Sequence, residues 1–61
     1  MWEVIVKGRN AKEILKDLGL RATWNGFSYV LAYEDKTKAV EVHLALKKRG
    51  LRTTMTQAFG A

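Results

Sequence analysis

Two β-rich runs, residues 20–24 and 27–33, are separated by Asn25-Gly26 alone. Asn-Gly is the pair favoured in two-residue hairpin loops, because a type I′ turn needs positive φ at both central positions. The reading is therefore a tight hairpin at Trp24-Asn25-Gly26-Phe27, and such a hairpin dictates which residues share a sheet face. Trp24 is expected opposite Phe27, Ala22 opposite Tyr29 and Leu20 opposite Leu31, all on one side. Arg21, Thr23, Ser28, Val30 and Ala32 then fall on the other.

The segments flanking the hairpin repeat a simple grammar. Residues 2–7 read as a strand, with Val4, Ile5 and Val6 β-branched and Gly8 ending the run. Asn10 is the expected N-cap of a first helix carrying Ala11, Ile14, Leu15 and Leu18 at helical spacing, with Lys12, Glu13, Lys16 and Asp17 on the other face. Gly19 stands at its C′ position. Asp35 or Thr37 caps a second helix containing Ala39, Val40, Val42, His43, Leu44 and Leu46, and Gly50 closes it. A Thr-rich strand runs from Leu51 to about Ala58, followed by the short tail Phe59-Gly60-Ala61.

The order strand, helix, hairpin, helix, strand covers the whole chain and resembles the ferredoxin-like α+β superfold, βαββαβ. That resemblance implies a four-stranded antiparallel sheet of order 4-1-3-2 with two helices on one face. Alternation assigns Trp2, Val4 and Val6 of the first strand, and Leu51, Thr53 and Met55 of the last, to the helix side. Glu3, Ile5, Lys7, Arg52, Thr54 and Thr56 belong to the open face, whose apolar centre is Ile5, Val30 and Ala32.

Sixty-one residues accommodate one domain, 1–61, with a marginal core. There is no cysteine and one histidine, which removes disulfides, thiolate zinc sites, thiol catalysis and histidine-rich metal sites. An efficient core (48% of residues are hydrophobic) or a partner subunit must supply stability instead. No secretory-type leader is visible at the start, and no apolar stretch approaches the ~20 residues of a membrane span, so a cytoplasmic protein without a membrane partner is the expectation. His43 reads as a half-buried helix residue, Ser28 has no evident base, and Glu34-Asp35 precedes a helix N-terminus where acids are favoured. These observations point to a protein that is not an enzyme and holds neither metal nor cofactor.

Charge suggests a different kind of function. Eleven Lys and Arg stand against six Asp and Glu, a net charge of +5. In the βαββαβ order, the loop Lys7-Gly8-Arg9-Asn10, the hairpin turn, and Lys47-Lys48-Arg49-Gly50 leading into Arg52 meet at one end of the sheet. Lys7, Arg9, Lys47, Lys48, Arg49 and Arg52 thus form a basic rim, with the N-terminus of the first helix aimed at it. The expectation is a small nucleic-acid- or polyanion-binding module, contacting RNA or DNA through phosphates. Charges in the last helical turn also satisfy the macrodipole, so part of this cluster has a structural reading as well.

Two family resemblances bear on the same residues. Asn25 to Ala32 reads Asn-Gly-Phe-Ser-Tyr-Val-Leu-Ala and resembles the third-strand signature of RNA-recognition motifs; Tyr33-Glu34-Asp35 and a helix with Ala39 and Val40 are similar too. The resemblance implies base stacking by Phe27 and Tyr29. Asn25 and Ala32 depart from its basic and final aromatic positions, and hairpin parity places Phe27 and Tyr29 on the core side instead. Val6-Lys7-Gly8-Arg9 and Gly19-Leu20-Arg21-Ala22 are similar to pieces of acylphosphatases, although the phosphate loop of that family is longer. The alternative function is protein interaction or homodimer formation, through edge strand 51–58 or the open sheet face. Near-ideal loops without proline suit an idealised scaffold as well.

Overall fold

β1 (Trp2–Lys7) occupies the middle of the sheet because its Val-Ile-Val run can be covered on both edges and one face. In the computed structural model, which describes residues 1–57, it is followed by α1 (Ala11–Asp17), β2 (Thr23–Trp24), β3 (Tyr29–Tyr33), α2 (Lys36–Lys48) and β4 (Arg52–Gln57). The four strands form one antiparallel sheet of order β2-β3-β1-β4, the order expected from sequence.

Register sets the two faces. Val4 lies between Leu31 and Met55, and Val6 between Tyr29 and Thr53. Val4 and Val6 are fully buried. Ala11 and Leu15 of α1 join them, with Ala39, Val42 and Leu46 of α2 and Leu51, so both helices complete one cluster with the Val4, Val6 and Leu31 side of the sheet. Burying a Val or Leu side chain stabilises by roughly 1.5–3 kcal/mol, and a chain this small has few to lose. On the other face, Thr23, Val30, Ile5 and Thr54 form a row across the strands; Ala32, Glu3 and Thr56 form the next.

Both helices end in the same way. Leu20 N–H donates to the Leu15 carbonyl (2.9 Å) and Gly19 N–H to that of Lys16 (3.0 Å); Leu51 N–H and Gly50 N–H repeat the pattern to Leu46 (3.3 Å) and Lys47 (3.0 Å). These are Schellman closures, with the glycines at φ 69° and 87° and the following leucine returned to the core. At its start α2 is capped by Asp35, whose Oδ1 accepts from Thr37 N–H at 3.0 Å. Asn10 does not do the same for α1. Its backbone lies at φ −100°, ψ 14°, and its side chain makes no cap.

The hairpin departs from the tight turn that Asn25-Gly26 predicts. Trp24 pairs with Tyr29 and Thr23 with Val30, leaving a four-residue loop, Asn25 to Ser28. Asn25 Oδ1 accepts from the N–H groups of Phe27 (2.9 Å) and Ser28 (2.8 Å), while Asn25 N–H donates to the Ser28 carbonyl (3.1 Å). Only Gly26 has positive φ (97°), so the type I′ geometry is absent. The short Asn side chain offers the backbone a competing set of partners, and that set prevails.

The pairing therefore slips by two residues, which preserves the faces. Trp24, Tyr29 and Leu31 remain on the helix side as expected. Phe27 does not: it leaves the strand and is 83% exposed. The expected pairs Ala22–Tyr29 and Leu20–Leu31 are not formed, since β2 starts only at Thr23 and β3 at Tyr29. Leu20 and Ala22 pack against the core without joining the sheet. Ser28, expected on the open face, is buried in the loop with its hydroxyl 3.4 Å from Asn25 Oδ1. Ala58 and the Phe59-Gly60-Ala61 tail lie outside the described residues.

Candidate nucleic-acid interface

β1 ends at Lys7, β4 begins at Arg52 directly opposite it, and β3 begins one position away, where Tyr29 faces Val6. The β1–α1 loop, the hairpin loop and the α2–β4 turn consequently share one end of the sheet. Lys7 and Arg52 are cross-strand neighbours on the open side. Like charges directly opposite repel, so this pair is an unfavourable arrangement within the sheet and a favourable one toward an anion.

The two basic segments touch through Gly8 and Leu51. A Cβ built on Gly8 would stand 2.6 Å from Leu51 Cδ2, and Gly8 has φ 155°, so glycine alone gives the loop its close approach. Ala11 N–H donates to the Gly8 carbonyl at 3.3 Å, turning the chain into α1. Lys47 and Lys48 lie in the last turn of α2, and Arg49 is its C-cap, with N–H donating to the Leu46 carbonyl at 3.1 Å. Lys7, Arg9, Lys47, Lys48, Arg49 and Arg52 are all exposed. Glu34 and Asp35 follow β3 at the far end of the sheet, where Tyr33 faces Trp2. At that end Lys36 Nζ stands 5.2 Å from the centre of a Trp2 ring.

The first helix adds little to the rim. It has seven residues, its first turn carries Glu13, and its expected cap makes no side-chain bond. The remaining polar candidates are hydrogen-bonded within the fold. His43 Nδ1 and Thr53 Oγ1 share a 2.6 Å hydrogen bond, and Thr53 Oγ1 also reaches the His43 carbonyl at 3.4 Å, joining α2 to β4. Ser28 belongs to the hairpin loop. Among the described residues no three of His, Asp and Glu come together as a ligand set for a metal. No helix among them is long and apolar enough to cross a membrane.

One feature escaped the sequence reading. An open groove of about 320 Å³ lies between α1 and the hairpin, lined by Lys12, Leu15, Lys16, Leu20, Ala22 and Tyr29. The Tyr29 ring packs against Trp24 at 4.9 Å between centroids, tilted by 52°. The available signal was weak: Lys12 and Lys16 share a helix side beside Leu15, a pattern most helices show on their solvent face. The chain matches no protein-family model, and comparison with curated proteins and with solved structures finds no significant match.

Proposed function

We propose that this chain is a ferredoxin-like module that binds nucleic acid or a similar polyanion through the basic rim. The observation that carries the reading is the Lys7–Arg52 register together with the Gly8–Leu51 contact. They bring two basic segments from opposite ends of the chain to one edge, with the acidic Glu34-Asp35 pair at the other. Cations gathered from separate segments attract phosphates and supply affinity without reading base sequence.

The test is a salt titration of binding to single- and double-stranded DNA and RNA. If all of Lys7, Arg9, Lys47, Lys48, Arg49 and Arg52 engage phosphates of one strand, log K falls with log salt at a slope of roughly −4. Replacing Lys47, Lys48 and Arg49 by Glu flattens that slope and weakens binding at least about tenfold at low salt. Binding insensitive to salt, or none at low salt, overturns the reading.

A second reading rests on β4. It is an edge strand of six residues, without proline and with Arg52 as its one charge, which leaves a hydrogen-bonding edge open to a protein strand or a second copy. Sedimentation across a concentration series tests the homodimer; a strict monomer at high concentration removes it.

A further inference from the structure

The groove beside α1 has a chemistry that the rim lacks. Leu15, Leu20, Ala22 and Tyr29 make an apolar and aromatic floor, Lys12 and Lys16 stand one helical turn apart on its α1 side, and no acid lines it. Its volume is at the low end of the roughly 300–1,000 Å³ typical of small-ligand sites, the scale of a single nucleoside-sized group. Beside it, Trp24 packs on Tyr29 and yet remains 56% exposed, and Phe27 at the hairpin tip is 83% exposed. These two exposed aromatic rings offer apolar surface that a ligand gains by covering. The groove also adjoins the rim, because α1 follows the loop Lys7-Gly8-Arg9-Asn10 and Lys12 lies in its first turn.

We propose that this groove, with Trp24, is a base-stacking subsite, and that the polyanion held by the rim is a single-stranded nucleic acid. The proposal rests on the rim reading and narrows it. Duplex DNA and RNA keep their base faces stacked inside the helix, so only an unpaired base can lie against an indole or phenol ring. Lys12 and Lys16 then hold the phosphates on either side of that base, continuing the cationic track from Arg9. Stacking is tolerant of base identity, as is a phosphate rim, so the combined site favours single strands and has little sequence preference.

Binding of oligo-dT, a matched duplex and inorganic polyphosphate, measured at one low salt concentration, tests this. Trp24→Leu is expected to weaken oligo-dT binding by roughly 5- to 150-fold, the range for losing one stacked base, and to leave polyphosphate binding unchanged. In a Trp2→Phe chain, where Trp24 is the sole indole, oligo-dT quenches the fluorescence and polyphosphate does not. The affinity comparison is made on a chain that keeps Trp2, so it stands even if Trp2→Phe fails to fold. Equal loss of oligo-dT and polyphosphate binding in Trp24→Leu, or no preference of the native chain for oligo-dT over duplex, refutes the subsite and leaves the rim intact. Absence of binding to all three at that low salt concentration refutes the rim as well.

Discussion

Gly8 and Leu51 meet at the junction of the two basic loops, with only 2.6 Å between the Leu51 Cδ2 and the place a Gly8 Cβ would occupy. Leu51 is buried and closes the Schellman turn of α2, so it has little freedom to withdraw. Gly8→Ala therefore combines overpacking with a strained positive φ and is expected to destabilise by about 1–3 kcal/mol. In a domain of this size each kcal/mol lowers Tm by about 4–8 °C, which a thermal melt resolves. An unchanged Tm would show that the two loops are not packed this tightly.

Asn25 organises the hairpin loop through one oxygen. Asn25→Ala removes the acceptor for Phe27 and Ser28 N–H and strands the buried Ser28 hydroxyl, at an expected cost of about 1–2 kcal/mol. Asn25→Asp retains the acceptor and most of the stability. Urea midpoints of the two variants distinguish this arrangement from a type I′ turn, which needs the backbone freedom of Asn rather than its side-chain oxygen.

The Thr53–His43 hydrogen bond is the polar link between α2 and the edge strand. Thr53→Val keeps the shape and removes the hydroxyl, and is expected to cost about 1 kcal/mol. A double-mutant cycle with His43→Ala isolates the pair; a coupling near zero would mean that the bond does not contribute.

Burial raises the Tyr33 pKa above its ordinary value near 10. Folding thus favours the neutral phenol. Its contribution is complete below the unfolded pKa and is lost as pH rises through the higher folded one. Stability should decline above about pH 10, and Tyr33→Phe should lose less over that window than the native chain. Parallel pH profiles for the two proteins would contradict this.

The parts of the structure legible in the sequence are those decided locally or by parity. β1 spans the residues that its β-branched run indicated, Asp35 caps α2, and both helices stop at the expected glycines. Face assignment survived a wrong hairpin register because the slip was an even number of residues. Loop length was not legible, because Asn25-Gly26 is compatible with two turns, and the choice depends on where β1 fixes Tyr29. The rim followed from topology once the strand order was known. The groove did not, since α1, the segment before β2 and Tyr29 are brought together only by packing.

β2 contributes two residue pairs to the sheet and no side chain to the buried cluster. The centre of the sheet is thus expected to exchange its amide hydrogens last, and the thinly paired margin at residues 20–24 to open earlier by local fluctuation. That margin forms one wall of the groove beside α1. A ligand seated there would slow amide exchange in residues 20–24 first and leave β1 unchanged, so solvent hydrogen itself becomes a reporter of occupancy.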